Sequence, residues 1–161
     1  MKIAIKISLL TLLISCVINV QTSLACSCDG SKTLIEAYKI SNSVTLGTII
    51  AEEFVTLRDP TNFPDLITIV RYKFLIEKVY KGSFTKDTVL IYTGSGGGDC
   101  GYPFLKGGRY IVYGMDKAYL PAMGKNKYPK GKNITWTFIC LPTSKYSNEA
   151  VNELDKIRKK D

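Results

Sequence analysis

The chain has 161 residues and a formal net charge of +8, with 22 Lys and Arg against 14 Asp and Glu, and it contains no histidine. This length suits about one globular domain behind an export signal. The lack of histidine removes the usual general base and the commonest metal ligand of proteins. We therefore expect a protein that is not an enzyme and that has no cofactor of its own.

The first 25 residues are typical of a signal peptide, which leaves one domain over residues 26–161. The apolar stretch from Ile7 to Val20 is short and interrupted for a membrane span. Small residues at Ser23 and Ala25 occupy the positions that a signal peptidase reads. Cleavage after Ala25 would make Cys26 the first residue of a secreted or periplasmic protein.

A second type of processing is also consistent with this segment. The residues from Leu13 to Cys16 resemble the lipobox of bacterial lipoproteins. Lipidation at Cys16 would anchor the protein to a membrane and would leave further residues in front of Cys26. Cysteine is also an ordinary apolar residue within signal peptides, so both alternatives remain open.

Hydrophobic periodicity in the mature chain predicts a helix, five strands and a second helix. The predicted helices cover Thr33 to Asn42 and Ser147 to Lys160, and the strands cover Val44 to Val55, Leu66 to Tyr80, Thr88 to Tyr92, Arg109 to Gly114 and Asn133 to Cys140. Gly47 indicates a bulge or a close backbone approach, and a phase change in the second strand indicates a bulge near residues 69–70. The side chains expected in the core include Phe74, Ile76, Trp136 and Phe138. This pattern favours a mainly β fold, a five-stranded antiparallel barrel of the OB type with a helix near each end.

Two short motifs in the mature chain offer little catalytic chemistry. The glycine-rich segment from Gly94 to Gly98 lacks the following Gly-Lys-Ser/Thr of a phosphate loop. It predicts a flexible loop that leads into Cys100, and Asp99 beside it has no indicated carboxylate partner. The residues from Asn133 to Thr135 match the glycosylation acceptor pattern, which matters only in a eukaryotic source.

The basic balance of the chain makes an anionic glycan or a membrane surface a possible partner. Lysines spread along the chain are equally typical of an ordinary soluble surface. Export and disulfides argue against nucleic acid as a partner. We expect a monomer that does not bind nucleic acid.

Four cysteines remain after cleavage at Ala25, namely Cys26, Cys28, Cys100 and Cys140. An even number in an exported chain predicts two disulfides. A bond between Cys26 and Cys28 would close a very tight ring. Both remaining pairings tie the mature N-terminus to distant parts of the chain. A cysteine metal site is the rival interpretation, and the absence of histidine disfavours it.

The cysteine framework and its flanks resemble the tissue inhibitors of metalloproteinases. That family begins its mature chain with Cys-x-Cys directly after the signal peptide. The matching segments are Cys26-Ser27-Cys28, Val79 to Gly82, Tyr92-Thr93 leading to Cys100-Gly101-Tyr102, Arg109 to Gly114 and Ile134 to Cys140. Their order and approximate spacing hold over nearly the whole mature chain.

The resemblance implies a netrin-like OB barrel in which Cys26 pairs with Cys100 and Cys28 pairs with Cys140. It implies that the α-amino nitrogen and carbonyl oxygen of Cys26 chelate the catalytic zinc of a target protease. Ser27 would enter the specificity pocket beside that zinc. The implied function is that of a secreted inhibitor of zinc metalloendopeptidases, which shares the zinc of its partner.

The chain also departs from the family pattern. The third disulfide of the family's inhibitory domain has no counterpart here, and no cysteine-rich second domain follows Cys140 in this sequence. Asp29-Gly30 replaces the usual apolar, proline-containing continuation of the inhibitory edge. The alternative function is a non-inhibitory netrin-like module that binds an anionic glycan, an envelope component or a protein partner. In that case Cys26-Ser27-Cys28 would only staple the terminus to the domain.

Overall fold

The computed structural model describes residues 28, 33–58, 66–96, 98–118 and 128–159. These residues form two helices and six strands, namely α1 (Leu34–Ile40), β1 (Ser43–Arg58), β2 (Leu66–Lys81), β3 (Thr88–Gly94), β4 (Arg109–Gly114), β5 (Ile134–Trp136), β6 (Ser144–Lys145) and α2 (Asn148–Arg158). The prediction of a mainly β fold with a helix near each end is confirmed. The predicted signal peptide lies outside the described residues. Neither described helix is long and apolar enough to cross a membrane.

The strands form one mixed sheet in the order β5-β3-β2-β1-β4-β6. Neighbouring strands in this sheet pair in antiparallel orientation, except β3 and β5, which are parallel. The predicted five-stranded antiparallel closed barrel is therefore wrong, because the sheet has six strands and is open in its strand order. Strand β5 is only three residues long and pairs with β3. The outer edge of β4 instead pairs with β6 at Tyr110 and Ile111.

One isolated bridge nevertheless joins the chain after β4 to β5. The backbone N–H of Met115 donates to the carbonyl oxygen of Trp136, and the N–H of Trp136 donates to that of Met115, each over 2.8 Å. Next to this bridge, the hydroxyls of Ser43 and Thr135 lie 3.2 Å apart. These contacts bring strands from the two sides of the sheet together without a continuous ladder between them.

Strand irregularities occur in the first half of β1 and the facing part of β2. The register shifts at three points, between Val44 and Thr45, between Leu46 and Gly47, and between Ile49 and Ala51. The prediction for Gly47 is confirmed, because a Cβ at this position would lie 2.1 Å from the carbonyl oxygen of Leu75. Only glycine permits so close an approach of the two backbones.

The predicted bulge near residues 69–70 is wrong. Ile69 and Val70 pair in regular register with Val55 and Phe54. Both side chains are buried, Ile69 in a cluster with Tyr92 and Trp136, and Val70 in the cluster that contains Phe74. Successive residues of a strand point to opposite faces. The alternation of apolar and polar residues breaks at this point because the side chains on both faces of the sheet are buried here.

The core formed by the described residues consists of three apolar clusters. One lies under the two helices and contains Tyr38, Tyr113 and Leu154. Helix α1 begins after Thr33, whose side chain forms a capping box with Glu36. The core prediction is confirmed for Phe74 and Trp136, which are both fully buried, whereas Ile76 and Phe138 are partly buried against the clusters.

Candidate functional site

The predicted disulfide between Cys28 and Cys140 is present. It joins residues 112 positions apart with a Cα–Cα distance of 5.3 Å. Cys28 itself is exposed, so the bond lies at the surface of the domain. Cys26 and Ser27 lie outside the described residues, and the roles implied for them stay predictions.

We call Cys140 and Cys100 the cysteine anchors, because each is the domain's partner in a disulfide. Cys100 lies beside Cys140. Cys100 is also disulfide-bonded. The backbone N–H of Ile139 donates to the carbonyl oxygen of Cys100 over 3.0 Å. Because Ile139 immediately precedes Cys140, the two bonded cysteines occupy adjacent backbone segments. The pairing of Cys100 with Cys26 stays a prediction.

The segment that carries Cys140 was predicted as a strand, but β5 ends at Trp136. Beyond it, the N–H of Thr137 donates to the carbonyl oxygen of Tyr92 over 3.0 Å. The chain then turns, with the N–H of Leu141 donating to the carbonyl oxygen of Phe138 over 3.0 Å. Residues 137–139 thus follow the end of β3 towards Cys100 before the turn places Cys140 beside it.

The loop that carries Cys100 is organised by Asp99. The carboxylate of Asp99 accepts hydrogen bonds from the backbone N–H groups of Ser95, Gly96 and Gly101 and from the hydroxyl of Ser95, at 2.5 to 3.0 Å. Bonds to an ionised acceptor are among the stronger hydrogen bonds in proteins. These bonds tie three backbone positions of the glycine-rich loop to one side chain, and the predicted flexibility of the loop stays a prediction. Asp99 has a structural role that the sequence analysis missed.

Two glycines near Asp99, Gly94 and Gly101, leave room for this arrangement. A Cβ at Gly94 would lie 2.4 Å from the Asp99 carboxylate, and a Cβ at Gly101 would lie 2.1 Å from the carbonyl oxygen of Gly94. Cys100 has a φ of 61°, in the left-handed region that non-glycine residues rarely adopt. The surrounding contacts hold Cys100 in this conformation and so fix the direction of its side chain.

We expect Asp99→Ala to destabilise the protein by about 1–3 kcal/mol, because it leaves several backbone N–H groups of the loop without their acceptor. Urea unfolding of the oxidised protein measures this loss. Asp116→Ala is the matched control, since it removes the same charge from an exposed position on another loop. Hydrogen exchange at Gly96 and Gly101 should accelerate only in the Asp99 variant. Unchanged exchange there would contradict the role assigned to Asp99.

The shifted pKa values in the described residues have structural causes. A hydrogen bond from Arg109, supported by one from Thr48, lowers the pKa of Glu77. Burial raises the pKa of Tyr72 and of Tyr113 to about 12. No group of three or more His, Cys, Asp or Glu side chains that could hold a metal ion occurs in the described part of the chain. The expectations that the protein is not an enzyme and has no metal of its own stay predictions.

Asn133, the possible glycosylation acceptor, is engaged within the fold. Its Oδ1 accepts from the backbone N–H of Thr85 over 2.9 Å, and its Nδ2 donates to the Thr85 hydroxyl over 2.7 Å. Thr135 of the same pattern is buried. The side chain of Asn133 therefore connects the start of β5 to the loop between β2 and β3.

No protein-family model matches the chain, and no curated protein matches it. Membership of the tissue inhibitor family stays a prediction that rests on the ordered cysteine framework. What the structure adds to that framework is the position of three of its cysteines, with the Cys28–Cys140 disulfide beside Cys100.

Proposed function

We propose that the protein is an exported inhibitor of zinc metalloendopeptidases and that the mature N-terminal residue, Cys26, chelates the zinc of its target. The observation that carries this proposal is the adjacency of two disulfide anchors, Cys140 and Cys100, joined through the backbone of Ile139. A Cys-x-Cys segment bonded to both anchors would be held at each of its cysteines. Its first residue would then have a defined position at the surface of the domain.

We further propose that strands β1 to β5 correspond to an OB-type, netrin-like domain, to which β6 is an addition. The parallel pairing of β3 with β5 supports this assignment. Between these two strands the chain crosses to β4, which pairs with β1, and then returns to pair β5 with β3. The Met115–Trp136 bridge also supports it, since OB barrels are only partly closed. In such a domain the cysteine anchors would lie together, beyond the ends of β3 and β5.

The chemistry of the mature N-terminus fits the active site of a zinc protease. A catalytic zinc has three protein ligands and leaves one position to water. The amine and carbonyl of Cys26 would displace that water without presenting a bond that the protease can cut. An unperturbed α-amino group has a pKa of about 8, so zinc can compete with the proton for the nitrogen lone pair at neutral pH. Ser27 would enter the adjacent specificity pocket.

The disulfides account for how a short segment could bind tightly. A free terminal segment loses conformational entropy when it is fixed on a partner, and this loss weakens binding. The bond from Cys28 to Cys140 removes much of that freedom in advance. A second bond from Cys26 would remove most of the remainder. The inhibitor would therefore bind as a nearly rigid edge.

Inhibition by the mature protein is the direct test of this function. We expect protein that begins at Cys26, as verified by intact mass, to inhibit at least one member of a broad panel of zinc metalloendopeptidases at submicromolar concentration. Serine proteases, which have no zinc, are the control and should be unaffected. An absence of inhibition across the panel would favour the alternative, a non-inhibitory module that binds an anionic glycan, an envelope component or a protein.

A further inference from the structure

A groove of about 670 Å³ crosses the part of the sheet formed by β2, β3 and β5. Three lysines line it, namely Lys73 on β2, Lys86 in the loop before β3, and Lys132 before β5. These lysines lie on three separate segments, which strand pairing and the hydrogen bonds of Asn133 bring together. The groove is separate from the cysteine anchors, which follow the opposite end of β3.

The floor of the groove is apolar and regular. Strand register places Lys73 beside Leu90, and Leu90 beside Ile134. Side chains in register on neighbouring strands share a face of the sheet. Leu90 and Ile134 are half-buried and so present an apolar surface at the bottom of the groove, while the three lysines are exposed around it. This arrangement combines an apolar floor with a cationic rim.

The rim carries more positive than negative charge. Among the described residues that line the groove, Asp87 contributes the single carboxylate, against the three lysines. Within the described part of the chain, the ion pairs use Arg71, Lys78 and Arg109 instead. The potentials of the three ammonium groups therefore add within one concave surface, where a charged ligand experiences them together.

The backbone segments that carry two of the lysines are joined by hydrogen bonds. The hydrogen bonds of Asn133 with Thr85 tie the segment of Lys132 to the loop of Lys86. The N–H of Leu90 also donates to the carbonyl oxygen of Asn133 over 2.9 Å. The backbone of the groove is thus fixed before any ligand arrives, which reduces the ordering cost of binding.

We propose that this groove binds an anionic oligosaccharide, with a sugar ring on Leu90 and Ile134 and its sulfate or carboxylate groups on Lys73, Lys86 and Lys132. A pyranose ring has an apolar C–H face and charged groups at its edge, which matches the floor and the rim. Nucleic acid fits less well, because none of the described residues that line the groove has an aromatic side chain to stack a base. A flat membrane surface would not reach a recessed floor. This site would operate whether or not the protein inhibits a protease.

Calorimetric titration of the mature protein with a heparin octasaccharide tests this proposal. We expect Lys73→Gln, Lys86→Gln and Lys132→Gln together to weaken binding at least tenfold, with the same inhibition of any target protease. The matched control combines Lys39→Gln, Lys145→Gln and Lys159→Gln, which lie on α1, on β6 and after α2 and remove the same charge. We expect this control to change the affinity less than twofold.

Several outcomes would overturn the proposal. Equal losses in the two triple variants would mean that only net charge matters, and unchanged binding in the groove variant would place the glycan elsewhere. No heparin binding by the wild type, together with lysine-dependent binding to phosphatidylserine vesicles, would assign the groove to membranes. An octasaccharide that is both desulfated and carboxyl-reduced, and so uncharged at these groups, would rule out recognition of the anionic groups if it bound as well as heparin.

Discussion

One alanine added before Cys26 is expected to weaken inhibition of a zinc endopeptidase at least 100-fold. The extension converts the α-amine of Cys26 into an amide, which is a poor zinc ligand, and adds atoms where the zinc must lie. The domain itself should be unaffected, because the Cys28–Cys140 bond and the core are untouched. We expect the free energy of unfolding to change by less than about 0.5 kcal/mol, as for most surface changes.

The measurement compares inhibition constants for mature and alanine-extended protein, each with its N-terminus verified by mass. An alanine added after Asp161 provides the control for one extra residue and should leave inhibition unchanged. Equal inhibition by the N-terminally extended and mature forms would refute chelation by Cys26. Lipidation at Cys16 would have the same effect as the extension, since Val17 to Ala25 would still precede Cys26.

Local pattern predicted the long elements of the fold and failed where pairing depends on distant residues. The alternation in β2 and the periodicity of α2 were sufficient to place both elements. Strand β6 has only two residues, Ser144 and Lys145, which is too short for any periodic signal. The parallel pairing of β3 with β5 depends on the path of the intervening chain. Neither feature can be obtained from residue spacing.

The candidate site likewise has features that the sequence could predict and features that depend on distant parts of the chain. The cysteine count and the export signal predicted disulfides, and the family resemblance selected the pairing of Cys28 with Cys140. The contact between Cys100 and Ile139 could not be predicted, because it depends on how the chain turns after β5. The role of Asp99 had a partial signal, a carboxylate beside a run of glycines, whose backbone N–H groups are accessible donors.

Trp136→Ala is expected to cost about 3–5 kcal/mol of folding stability, the usual range for truncating a buried aromatic residue. Trp136 is completely buried. Its ring stacks on Tyr92 with centroids 5.2 Å apart and meets the edge of Tyr128 at 6.1 Å. Its Nε1–H donates to the carbonyl oxygen of Pro129 over 2.9 Å. Truncation would remove these contacts at the point where β5 meets both β3 and the chain after β4.

Trp136→Phe separates packing from hydrogen bonding. It keeps an aromatic ring next to Tyr92 but leaves the Pro129 carbonyl without its donor, so we expect a smaller loss of about 1–2 kcal/mol. Trp136 is the only tryptophan of the chain, so unfolding in urea is followed by circular dichroism rather than tryptophan fluorescence. A loss below about 1 kcal/mol for Trp136→Ala would contradict the buried position. Because Thr137 to Cys140 continue directly from Trp136, the alanine variant should also increase hydrogen exchange at Ile139 and so loosen both cysteine anchors.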